Sequence, residues 1–177
     1  MNDDLPDWQA RLDAVWKDAD AMPSEALVAA VDGLADERPA GDPAALFERA
    51  SVRDSTGHES GAEGFYRAAL ATGRLDPMRH SRAVIQLAST LRILGQLEES
   101  ERLLSAQLER FASAGGPHPL HDETRAFLAF TWLAQGRAVE AAGLALSALA
   151  PHLSRYRRSA AANASEVLES AGRTRGL

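Results

Sequence analysis

At 177 residues, with a formal net charge of −6 and no cysteine, the chain is long enough for one continuous core but has no thiolate or disulfide chemistry. Its acidic balance excludes a general nucleic-acid binder, whose phosphate contacts draw on clustered positive charge. Alanine and leucine dominate, and no β-branched run or alternating apolar pattern lasts long enough for a strand, so the chain reads as all helix.

The charge is unevenly spread: residues 1–63 hold 15 acids and 5 bases, net −10, and residues 64–177 hold 10 acids and 14 bases, net +4. The opening MNDDLPDWQA is acidic and holds no apolar segment, so neither a signal peptide nor a membrane span is expected and a cytoplasmic setting suits the chain. Trp8, Leu12, Val15 and Trp16 then predict an amphipathic helix with both indoles on one side, and Leu27, Val28, Val31 and Leu34 a second, with Ser24 as its cap. The segment ERPAGDP is the clearest linker, and Asp42 with Pro43 reads as a helix start. Residues 1–40 therefore read as an N-terminal helical extension or cap, and residues 41–177 as a second region closed by a C-terminal helix.

Within that region the spacing repeats. Val84, Leu87, Ala88 and Leu91 form one helical stripe about 100° wide, Gly95 ends it, and Leu97, Ser100, Leu103, Leu104 and Leu108 line the inner side of the next helix. Glu98, Glu99 and Glu101 open that helix, where carboxylates favour the positive end of the dipole. Gly57 and Gly136 stand 38 residues before and 41 after Gly95. Ala62, Tyr66, Ala69 and Leu70 follow the first, and Ala141, Ala145, Ala148 and Leu149 the second. Leu46 and Ala50 precede Gly57, while Leu128, Ala129 and Trp132 precede Gly136. A last helix is expected from about Ser154 to Ala171 with Tyr156 on its inner side.

This pattern resembles the tetratricopeptide repeat, a helix–turn–helix unit of about 34 residues. Leu87, Ala88 and Gly95 stand where that family carries Leu, a small residue and its turn glycine; Ser100 replaces the usual small Ala, and Arg49 and Arg53 fall where Leu and Tyr belong. The resemblance covers about Asp42 to Gly172. It implies a right-handed α-α superhelix, a solenoid of about three helix pairs, with two helices before and one after. It further implies a non-catalytic module that binds a protein or peptide in the groove lined by the first helix of each pair. On those helices the groove face carries Phe47, Ser51 and Arg53, then Arg82, Ile85, Ser89, Arg92 and Ile93, then Phe130 and Leu133. Arginines beside apolar anchors suit a partner with an acidic group. The alternative is a self-associating solenoid, a homodimer, whose groove is filled by its own termini; LPDWQARLDAVW is a candidate filler.

The apolar residues Phe127, Leu128, Phe130, Trp132 and Leu133 run nearly all round one helix, so burial on two sides is expected, the second against the C-terminal helix or else against another subunit or a bound partner segment. The loop AGGPHPLHDE is broken by Gly115, Gly116, Pro117 and Pro119. His118 and His121 with Asp122 and Glu123 are its only metal-like grouping, and with no second spaced pair a structural loop is expected there. No nucleophile elbow, phosphate loop, dinucleotide fingerprint or metalloprotease motif occurs, so neither catalysis nor a cofactor is expected.

Overall fold

Apolar residues three and four apart recur along most of the chain, and a helix gathers such residues on one side. The computed structural model describes residues 4–115 and 118–175, with the side chains of residues 7–115 and 118–173; Gly116, Pro117 and the first three residues of the acidic start lie outside the described residues. Among the described residues every regular element is helical. The helices are α1 (Asp4–Lys17), α2 (Ser24–Asp36), α3 (Pro43–Ser55), α4 (Glu59–Ala71), α5 (Pro77–Ile93), α6 (Leu97–Ser113), α7 (His121–Ala134), α8 (Ala138–Leu149) and α9 (Arg157–Arg175), with single 3₁₀ turns at Ala19–Ala21 and Ala150–His152. The chain is all-α, and three of the glycine turns among the described residues link α3 to α4, α5 to α6 and α7 to α8.

The turns share one chemistry. Gly57, Gly95 and Gly136 sit at φ of +77°, +78° and +78°, where a Cβ is disfavoured. After each, the next amide reaches back five residues: His58 to Arg53, Gln96 to Leu91 and Arg137 to Trp132, all at 2.8 Å. That bond satisfies a carbonyl orphaned at the helix end.

The chain forms two compact units, residues 1–90 and 91–177. In the first, α1 packs on α2, α2 on α3 and α3 on α4. Trp8, Leu12, Leu27, Val31, Leu34 and Val52 make one buried cluster, and the Trp8 indole N–H donates to the Leu34 carbonyl at 2.7 Å. The two N-terminal helices are thus part of the core of this unit. Asp42 caps α3 by accepting from the Ala45 amide at 3.0 Å, with Pro43 in the first turn. Ser24 is no cap: α2 starts one residue earlier than expected, with Pro23 at the cap position and no side-chain bond.

Arg49 and Arg53, misfits for an apolar seam, are explained by α2. Arg53 donates to both Asp32 carboxylate oxygens at 3.0 and 2.8 Å, and Arg49 pairs with Asp36 and, at 3.8 Å, with Asp32. The Arg53 guanidinium also lies 4.7 Å from the centre of the Phe65 ring.

In the second unit α6 packs on α7, α7 on α8 and α8 on α9. Ser100 is fully buried and its hydroxyl meets that of Thr131 at 2.9 Å. At Gly143 a Cβ would stand 2.9 Å from Leu168 Cγ, so α8 and α9 approach through the missing side chain. Two expectations are corrected here. α9 begins at Arg157, after Tyr156, which is 79% exposed at φ +64° and faces solvent instead of the core. And α9 docks on α8, which leaves Phe130 and Leu133 on the second side of α7 more than half exposed.

Trp8→Ala should lower unfolding stability by about 3–5 kcal/mol, the usual cost of emptying an aromatic core site, measured by urea denaturation of the full chain. A loss of a few tenths would mean that α1 is only loosely applied to α2.

Candidate functional site

The expected groove residues fall into two environments. In residues 1–90, Phe47 is wholly buried, at 6.2 Å from the Tyr66 ring, with Arg82 stacked over it at 5.1 Å. Ser51 and Ile85 are buried, Ser89 is partly so, and Arg53 is committed to Asp32. None of Phe47, Ser51 or Ile85 has surface to offer a large partner. Phe47 lies between Tyr66 of α4 and Arg82 of α5, and α1 approaches at Ser51. Gln9, Asp13 and Trp16 of α1 join Glu48, Ser51, Ser55, Arg82 and Gln86 around a cleft of about 280 Å³. Gln9 also accepts from Arg79 of α5.

Two carboxylates of this unit are withdrawn from solvent, Glu48 almost wholly and Asp54 in part. Glu48, 4% exposed, accepts the Trp16 indole N–H at 3.0 Å and lies 3.8 Å from Arg79. Burial pushes its carboxyl above the ordinary range, and Trp16 and Arg79 oppose the shift. Asp54 accepts from Thr90 at 3.0 Å and from the Tyr66 phenol at 3.5 Å, and burial raises it too. The buried Tyr66 phenol is likewise pushed up, beside the Asp54 charge, so it stays protonated.

In residues 91–177 the corresponding residues are open. Ile93, Phe130 and Leu133 are 52%, 53% and 56% exposed. Arg92 lies 5.9 Å from the Phe130 ring centre, and Phe127 meets that ring edge-on at 6.0 Å. Between α7 and α8 runs a second cleft, also about 280 Å³, in which Phe130 and Leu133 stand over a floor of alanines, Ala126 and Ala129 from α7 and Ala138, Ala142 and Ala145 from α8. Small side chains make the hollow and two large ones rim it.

A polar clamp fixes the helices beside this cleft. Glu101 of α6 accepts from the Trp132 indole at 2.7 Å, from Gln135 at 2.9 Å and from Arg137 at 2.5 Å. Arg137 also pairs with Glu140 at 2.9 Å and stacks on Trp132 at 4.3 Å. These donors hold the Glu101 carboxyl below its ordinary range against a desolvation cost. Sequence reading missed this clamp, because no local spacing links Glu101 to a residue 36 positions on.

The histidines of the loop, for which a structural role is expected, have partners within the chain. His118 stacks on Phe111 at 3.8 Å, and Asp122 takes His121 at 3.3 Å and His152 at 3.0 Å. Among the described residues no three His, Cys, Asp or Glu side chains converge as a metal set. A larger hollow of about 550 Å³ lies by the α3–α4 turn, but its arginine is Arg53, already paired.

A family model described as a tetratrico peptide repeat matches residues 43–167, 125 of the 177 residues. No curated protein and no solved structure matches the chain.

Glu48 generates a pH test. With its folded-state pKa raised, the folded chain holds this proton more tightly than the unfolded one, so the carboxyl adds stability at low pH and that contribution is lost as pH climbs through the folded value. Glu48→Gln removes the titration and keeps an acceptor for Trp16. Thermal midpoints from about pH 4 to about pH 8 should therefore move in favour of the variant as pH rises. Movement the other way would show that Arg79 and Trp16 outweigh burial.

Proposed function

Because the chain belongs to the tetratricopeptide repeat family, whose repeats generally mediate protein–protein interaction, we propose that it is a non-catalytic binding module whose partner segment docks on the α7–α8 face. The observation that carries this reading is the exposure of Phe130 and Leu133 over an alanine-floored cleft. Large apolar side chains half in water, beside a hollow with apolar walls, gain by covering; each anchor seated there contributes roughly 1.5–3 kcal/mol.

Charge adds specificity. Among the described residues no carboxylate lies within ion-pair distance of Arg92, and its guanidinium sits beside the Phe130 ring. A partner carboxylate could take its paired donors next to an apolar anchor. The preferred ligand is therefore an extended or helical protein segment with one or two large apolar residues and an adjacent acid. No described helix is long and apolar enough to cross a membrane, and a cysteine-free interaction module suits the cytoplasm. One observation favours self-association as a second reading: α8 carries further large apolar side chains, Leu146 and Leu149, each about half exposed.

Peptides selected on the full chain from a displayed random library supply the test. Phe130→Ala and Leu133→Ser should each weaken the selected peptides about tenfold or more, the loss of one anchor, with helical circular dichroism unchanged. Arg92→Gln should erase the preference for acidic over neutral sequences and the salt dependence of binding. Peptides that bind all three variants as they bind the parent would place the site elsewhere. A dimer in sedimentation that Leu146→Glu dissociates would favour self-association.

A further inference from the structure

No side chain lining the α7–α8 cleft can form a hydrogen bond. The lining residues are alanines apart from Phe130 and Leu133. Both walls are helices, and away from the first turn of α8 their backbone groups are bonded within each helix. The lining recurs at helical spacing: Ala126, Phe130 and Leu133 along α7, and Ala138, Ala142 and Ala145 along α8. Because only residues 135–137 join the two helices, the rows run antiparallel. Leu133 and Ala138 stand at the glycine-turn end, and Ala126 and Ala145 lie about 10 Å from it, the rise of seven helical residues.

Walls of this kind restrict the backbone of whatever covers them. An extended segment directs its N–H and C=O groups sideways, into walls that offer no partner, and a backbone group buried without one is costly. A helix brings its own backbone bonds and shows the cleft only side chains. Large apolar residues three and four apart on such a helix drop between the alanines, as the ridges of one helix fill the grooves of another. Charge completes the description. The Arg92 guanidinium lies 5.9 Å from the centre of the Phe130 ring, so a carboxylate on the flank of the ligand that passes Phe130 meets a cation.

We propose, on the reading that the α7–α8 face is the binding site, that the partner segment docks there as an amphipathic α-helix of about two to three turns. Its apolar stripe lies on the alanine floor, and a carboxylate stands on the flank nearest Phe130 and Arg92. The partner class is thereby narrowed to proteins that carry a helix, or a segment that becomes one on docking, and extended tails are excluded.

The experiment selects two displayed peptide libraries of equal length on the full chain, one randomised throughout and one with proline at every fourth position, which forbids a helix. Binders that Phe130→Ala and Leu133→Ser each weaken about tenfold or more should come from the first library alone. A synthetic copy of the strongest should add helical signal in difference circular dichroism when it binds the unaltered chain. A staple joining residues four apart on its solvent face should tighten it about threefold or more, by cutting the entropy lost on docking. Proline-bearing binders that both variants weaken equally, or a bound peptide without helical signal, overturn the inference and leave the α7–α8 reading standing. A selection that yields no binder dependent on Phe130 and Leu133 removes that reading, and this inference with it. Both variants alter side chains more than half exposed, and the proline, dichroism and staple arms use the unaltered chain.

Discussion

Close approach of helix backbones through small side chains is the constraint on which this stack depends. Ala50, Ala62 and Ala69 are fully buried in α3 and α4, and Ala129, Ala141 and Ala148 are nearly so in α7 and α8. Alanine shortens the distance between paired helices toward the lower end of the usual 8–10 Å, and it buries little area itself. Large neighbours must fill what it leaves. Tyr66 and Phe47 do so in one unit, and Leu104, Leu128 and Leu144 in the other. Where alanines line both helices and no large residue drops between them, at the outer side of α7 and α8, the same choice of small residues leaves a cleft. Packing and binding surface therefore share one cause.

Polar residues in the seams follow from what lies opposite them. Arg49 and Arg53 are tolerated because α2 presents Asp32 and Asp36, and Ser100 because Thr131 answers it. Buried or half-buried charges without such partners would cost several kcal/mol. The acidity of the first unit is in part spent this way: Asp32, Asp36, Glu37, Asp42, Glu48 and Asp76 each have an arginine within ion-pair distance. The excess of acids in residues 1–63 is therefore less a free field for steering partners than its sum implies.

How much the residues reveal depends on how local the cause is. The glycine turns were legible because the five-residue backbone bond and the positive φ are both set within six residues. Helix pairing was legible because small and large residues alternate at helical spacing. The state of the groove was not, since whether Phe47 or Phe130 meets solvent depends on side chains distant in sequence. Phe47 lies against Tyr66 and Arg82 and is wholly buried, while Phe130 stands half in water, though both positions carry phenylalanine on a first helix. Arg53 is similar: its sequence neighbours do not announce Asp32, 21 residues earlier, as its partner. The start of α9 was misplaced because Tyr156 adopts a left-handed conformation that a non-glycine residue seldom takes.

The three indoles are divided between the units, Trp8 and Trp16 in residues 1–90 and Trp132 in residues 91–177. They also occupy unlike surroundings: Trp8 is buried in an apolar cluster, Trp16 touches a carboxylate, and Trp132 lies against a guanidinium and a carboxylate. Intrinsic fluorescence of this chain is thus a sum of separable signals. With Trp8 and Trp16 replaced by phenylalanine, the remaining emission belongs to the second unit alone. Its loss can then be timed against the collapse of total helix, which shows whether the two halves melt as one cooperative body or in succession.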